Sequence, residues 1–138
     1  LVPDIDRGDA RKVDVCKTRI VSIIDDDESV RSSIEDLMSA LGFVARTFES
    51  ADEFLNSPDR DRTACLITDL QMPGRNGQEL QSHLLAKGRA PPMIFITSFP
   101  DKSVRERVMA NGALAFLEKP FDCQMLAGLV KGAMAAPR

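Results

Sequence analysis

Residues 19–42, "RIVSIIDDDESVRSSIEDLMSALG", decide how the rest of the chain reads. Ile20, Val21, Ile23 and Ile24 make a short β-branched run of the kind found in a strand buried on both faces. Asp25, Asp26, Asp27 and Glu28 follow without a break. From Val30 the period changes: Val30, Ile34, Leu37, Met38 and Leu41 share one face of a helix, and Gly42 is a natural stop. Neighbouring carboxylates repel by ~1 kcal/mol at 4 Å in water and by ~4 kcal/mol at an effective dielectric near 20. Solvent, a metal ion or a basic partner has to offset the acids at this junction.

Outward from that stretch the alternation of strand and helix continues. "FVARTF" (43–48) is a more polar strand suited to a sheet edge. "SADEFLN" (50–56) is a short helix opened by Ser50, with Glu53 placed to complete a capping box. "ACLITD" (64–69) is a buried strand running into the turn "LQMPGRNG". "QELQSHLLAKG" (78–88) puts Leu80, Leu84 and Leu85 on one helical face. "PMIFITS" (92–98) is a fourth strand and "DKSVRERVMANG" (101–112) a basic amphipathic helix. "ALAFLEKP" (113–120) holds a fifth strand stopped by Pro120, and "DCQMLAGLVKGAMAA" (122–136) closes the chain with Met125, Leu126, Leu129 and Val130 expected inside. Five strands alternating with five helices predict a doubly wound α/β fold, a parallel sheet covered by helices on both faces. One domain over 19–136 is expected, preceded by a flexible tail, 1–18, with no apolar periodicity.

Composition narrows the function. Of 138 residues, 43% are hydrophobic and 28% charged, which suits a globular domain with a proper core. A net charge of −3 argues against direct nucleic-acid binding. No apolar run approaches the roughly 20 residues that span a bilayer, and the opening "LVPDIDRGDARK" does not read as a signal peptide. Cys16, Cys65 and Cys123 form no CxxC pair and are expected as free thiols in a reducing cytoplasm. The tripeptide Arg7-Gly8-Asp9 is read as a chance match. His83, the single histidine, has no serine, cysteine or acid constellation around it and reads as a helix-boundary residue.

In open α/β sheets, ligands bind at the carboxyl ends of the strands, where the strand order reverses. The first strand ends in Asp25 and Asp26, the third in Asp69, the fourth in Thr97, and the fifth in Lys119. Three carboxylates make a hard oxygen site suited to Mg²⁺. A lysine and a hydroxyl suit phosphoryl oxygens, and a carboxylate can itself attack phosphorus. Asp27 and Glu28 are explained more simply, as first-turn residues favoured by capping and the helix dipole.

"IIDDDESVR", "LITDLQMPGRNG", "IFITS" and "FLEKPF", in that order, resemble the receiver domain of two-component response regulators, closest in look to the nitrogen-fixation and LuxR-type branch. Thr97 lies 28 residues beyond Asp69, and Lys119 a further 22 beyond Thr97, close to the family's separations. The resemblance implies a flavodoxin-like, CheY-like sheet of order 2-1-3-4-5. It implies Asp69 as phosphoacceptor, and Mg²⁺ held by Asp25, Asp26, Asp69 and the backbone carbonyl of Gln71. Thr97 would hydrogen-bond the phosphoryl group, Lys119 would pair with it, and Phe116 would be the aromatic switch residue, although a plain core role is the simpler reading of Phe116. A cis Lys119–Pro120 bond is expected. The implied donor is a sensor histidine kinase. The implied output surface is the fourth helix, fifth strand and fifth helix, serving a downstream protein, an attached output domain or a homodimer formed on phosphorylation. A cytoplasmic location goes with this reading.

Two neighbourhoods depart from the family's usual pattern: "SFPDK" after Thr97, which places Phe99 and Pro100 beside the site, and Gln71, two residues past Asp69. Phe99 is expected to hinder water and slow loss of the phosphoryl group. Two other functions stay open. One is a degenerate receiver that binds partners without phosphate. The other is an aspartate-nucleophile phosphohydrolase, which lacks support because Leu70 and Gln71 stand where a D-x-D motif needs its second acid.

Overall fold

The computed structural model describes residues 19–135. The expected tail, 1–18, with Cys16 and the Arg-Gly-Asp tripeptide, lies outside the described residues. Strands β1 (Ile20–Ile24), β2 (Ala45–Phe48), β3 (Thr63–Asp69), β4 (Met93–Thr97) and β5 (Ala115–Glu118) alternate with helices α1 (Glu28–Ala40), α2 (Ala51–Leu55), α3 (Gly77–Ala86), α4 (Lys102–Ala110) and α5 (Cys123–Ala135). A 3-10 turn, Pro58–Arg62, leads into β3. The strands form one parallel sheet in the order β2-β1-β3-β4-β5. The doubly wound α/β fold and its expected strand order are both observed.

Alternation along each strand divides the core into two layers. Val21, Ile23, Cys65, Ile67, Ile94 and Ile96 face α1 and α5, where Ile34, Met38, Leu126 and Val130 meet them. Ile24, Leu66, Met93 and Phe95 face the opposite side, against Phe54 of α2, Leu80 and Leu84 of α3 and Val108 of α4. Full burial of a Phe or Ile side chain contributes ~1.5–3 kcal/mol, so the central strands supply much of the stability. Ser22, the polar residue inside β1, shares a 2.7 Å hydrogen bond with Thr63, so its buried hydroxyl is satisfied. Burial pushes the Cys65 thiol up to about 12, which makes it inert packing, while Cys123 is free and exposed.

Some details differ from the sequence expectations. Leu85 is 43% exposed, because α3 buries Gly77, Leu80, Gln81 and Leu84 instead. Met125 is 54% exposed, since the buried stripe of α5 runs through Leu126, Val130 and Ala133, and Leu129 is only partly buried. Ser50 caps α2 as expected, accepting from the Glu53 amide, but the Glu53 carboxylate reaches back to the amide of Glu49 rather than to that of Ser50. A full capping box occurs at the start of α3, where Asn76 and Glu79 exchange side-chain-to-backbone bonds of 2.8 Å. Gly42, at φ +88, ends α1 in the left-handed region, as its sequence position suggested.

Candidate functional site

The four acids after β1 separate into two pairs by role. Asp27 is the N-cap of α1 and accepts from the Ser29 amide at 2.9 Å. Its hydrogen bonds to Ser29 hold its carboxyl below the ordinary range. Glu28 occupies the first turn of the helix. Asp25 is fully buried at the end of β1, and its Oδ1 accepts from the Asp27 amide at 2.9 Å. Asp26 is exposed beside it, and Asp69, buried, ends β3 on the adjacent strand. One carboxylate oxygen from each of Asp25, Asp26 and Asp69 lies within 4.8 Å of the others.

Lys119 enters this cluster from the end of β5. Its backbone amide donates to the Thr97 carbonyl at 2.8 Å, and a cis Lys119–Pro120 bond follows, as expected. Its Nζ donates to Asp25 Oδ2 at 2.9 Å and to Asp69 Oδ2 at 3.1 Å. Burial raises the Asp69 carboxyl above its ordinary range, the charge of Asp25 adds to this, and the bond to Lys119 works against it. Burial alone would lower the Lys119 ammonium, but the hydrogen bonds and charges of Asp25 and Asp69 outweigh it and raise the group above its usual range. The question posed by the run of acids is thus answered in part by a lysine 94 residues after Asp25.

Thr97 is buried at the end of β4, yet its hydroxyl is not directed to Asp69. Its Oγ1 donates to Gln71 Oε1 at 2.5 Å and accepts from the Phe99 amide at 3.0 Å. Gln71 follows the carboxylate closely, its amide donating to Asp69 Oδ1 at 3.3 Å. Phe99 is 72% exposed. Phe116, on β5 in register with Phe95, packs partly buried against the layer that holds α2, α3 and α4.

Three contributions escaped the sequence reading. Arg31 Nη1 donates to the Asp25 carbonyl at 2.7 Å, fastening the first turns of α1 to the end of β1. The Gln71 side chain, rather than its backbone alone, takes part through Thr97. At Gly77, an added Cβ would lie 2.6 Å from the Asp69 carbonyl oxygen, so α3 begins against the backbone at the end of β3 only because that residue lacks a side chain. The Asn76–Glu79 pair marks the helix start in the sequence and brings attention to Gly77, but the close approach itself is tertiary.

A hard cation needs oxygen donors of this kind, and the clustered Asp25, Asp26 and Asp69 carboxylates fit Mg²⁺. Among the described residues no helix is long and apolar enough to cross a membrane.

Comparison with known proteins supplies the family context. The family model for the response regulator receiver domain matches residues 21–131. Nodulation protein W of Bradyrhizobium diazoefficiens is 36% identical over 132 residues, covering 96% of this chain and 58% of that protein. Response regulator protein TodT of Pseudomonas putida is 32% identical, covering 86% of this chain and 52% of that protein. The chain therefore spans about half the length of these curated relatives. Among solved structures, a response regulator receiver protein from Burkholderia phymatum is 42% identical with a TM-score of 0.71, covering 88% of this chain and 100% of that one.

Proposed function

The chain belongs to the response regulator receiver domain family of two-component systems, and on that premise we propose that it is a phosphoacceptor switch, with Asp69 taking a phosphoryl group from a sensor histidine kinase. The observation that carries the proposal is the pair of hydrogen bonds that Lys119 Nζ donates to Asp25 and Asp69 beside a third carboxylate, Asp26. An Oδ of Asp69 attacks phosphorus as the bond from phosphorus to the donor's imidazole nitrogen breaks, leaving an aspartyl phosphate and a free histidine. Asp25, Asp26, Asp69 and the Gln71 carbonyl are the residues that would hold Mg²⁺. When bound, that ion supplies charge neutralisation for the phosphoryl oxygens. Lys119, already poised over Asp69, gives up a carboxylate contact for a phosphoryl oxygen.

Thr97 supplies the switch. In the structure its hydroxyl donates to Gln71, so its bond to a phosphoryl oxygen replaces the bond to Gln71. Phe116, one strand over, then repacks, and the surface formed by α4, β5 and α5 changes toward a downstream protein, an output domain or a second copy. Phe99, with Pro100 stiffening the loop behind it, slows hydrolysis by screening the phosphoryl group from water. Loss of phosphate from a Phe99→Ala variant at the wild-type rate would remove that role.

Incubation with acetyl phosphate and Mg²⁺, followed by intact mass measurement, tests the central reading. One phosphoryl adduct is expected on the wild type, and none in the Asp69→Asn variant or after chelation of the metal. An adduct that persists in Asp69→Asn places the acceptor elsewhere and defeats the assignment.

A further inference from the structure

At the opposite end of the sheet, below the amino ends of β3 and β4, lies a concave cavity of about 460 Å³. We propose that it is a second ligand site, for a small organic phosphate of mononucleotide size, separate from the acid cluster. Three cations from three different segments line it: Arg60 of the 3-10 turn, Lys87 at the end of α3, and Arg89 of the loop to β4. His83 adds an imidazole, and Leu84 and Pro91 supply buried apolar wall.

Charge is the first argument. The chain as a whole carries −3, yet this cavity gathers three cations against one acid, Asp61. That acid does little to neutralise them: it sits 3.7 Å from Arg60 Nε, and both side chains are well exposed, where ion pairs are weak. The side chains of Lys87 and Arg89 have no hydrogen bond or ion pair among the described residues. The end of α3 would ordinarily repel an anion through its carbonyls. Here the carbonyls of His83, Leu84 and Leu85 already accept from the amides of Lys87, Arg89 and Gly88, with Gly88 in the left-handed region at φ +74.

Shape is the second argument. The volume lies in the range of small-molecule pockets, roughly 300–1,000 Å³, and exceeds what a bare inorganic anion fills. Guanidinium and ammonium groups hold a phosphate, while the Leu84 and Pro91 wall accommodates the body attached to it. The site is independent of phosphorylation chemistry in position. Thr63 lines the cavity at the start of β3 and Asp69 ends that strand, about 20 Å away at the usual rise per residue.

Amide-detected NMR titration of the full chain with AMP, inorganic phosphate and adenosine at constant ionic strength tests the proposal. AMP is expected to saturate and to shift residues 60–63 and 83–91, with the two fragments each weaker by at least about tenfold. The double variant Lys87→Gln, Arg89→Gln is expected to lose about tenfold in AMP affinity, whereas Asp69→Asn is expected to bind AMP as the wild type does. An unchanged melting temperature of the double variant establishes that the charges, rather than the fold, were lost. If that variant melts lower, the two single variants serve instead, each with a partial loss expected. Inorganic phosphate binding as tightly as AMP would overturn the proposal, as would shifts centred on Lys102, Arg105 and Arg107 of α4. No saturation by about 10 mM AMP, a concentration well above any useful affinity, would overturn it too.

Discussion

Among the described residues Lys119 is the one cation whose side chain bonds the carboxylates of both Asp25 and Asp69, and the balance it leaves is incomplete. Because the Asp69 carboxyl is raised in the fold, the native state holds that proton more tightly than the unfolded chain does. The stability tied to it is fully present below the ordinary carboxylate value of 3.8 and is lost as pH rises through the folded value. The metal-free Asp69→Asn variant should therefore melt higher than the wild type at neutral pH. The gap should close as pH falls below 3.8, which a series of thermal melts reads directly. Gly77→Ala should cost ~1–3 kcal/mol in urea unfolding, the usual penalty for forcing a methyl into a packed site, because the clash is with the Asp69 backbone oxygen and not with a yielding side chain. Residue types at strand ends made Asp25, Asp26, Asp69, Thr97 and Lys119 readable as candidates, and the first three with Lys119 do converge. The Gly77 contact and the Thr97–Gln71 bond were not readable, since each depends on how two segments approach in space.

Among the elements, α3 shows where spacing arguments stop. A helix-face reading chose Leu85, but the buried row is Gly77, Leu80, Gln81 and Leu84, so an amide stands at an interior position. Hydrophobicity favoured the leucine, whereas the face that α3 turns to the core carries Gln81, which bonds to α4. Gln81 Nε2 donates to the Val108 carbonyl of α4 at 3.0 Å, and its Oε1 has no partner among the described residues. The Val108 carbonyl also accepts from the Ala113 amide, so it is not stranded if Gln81 is replaced. Gln81→Met should accordingly leave stability within ~1 kcal/mol of the wild type or above it, because an unsatisfied buried acceptor is removed. Gln81→Glu, which buries a charge there, should destabilise the protein by more than ~1 kcal/mol. Chemical denaturation of the two variants separates these effects. The same limit explains Met125, one position off the buried row of α5.

For the molecule as a whole, alternation of buried strands with amphipathic helices was sufficient to predict a parallel sheet with two covered faces. The strand order needed more, and came from the motif resemblance rather than from periodicity. Once that order is set, β1 and β3 are neighbours, and their carboxyl ends bring Asp25 and Asp69 together. A ligand that binds this rim in the folded state alone adds stability by mass action. Mg²⁺ at a hundredfold excess over its dissociation constant should add ~2.7 kcal/mol, reversed by a chelator and diminished in Asp26→Asn, as a calorimetric melt would register.

On the switch reading proposed for Thr97, its bond to Gln71 also bears on what happens when no stimulus arrives. A signalling circuit is limited by its background, the response it gives at rest. A hydroxyl already engaged has a default occupation, and spontaneous excursions to the active packing must first break it. With a net worth near ~1 kcal/mol, that one bond suppresses such excursions about fivefold. On that reading the Gln71 side chain lowers the resting background of the proposed switch, and the output would start from a quieter zero.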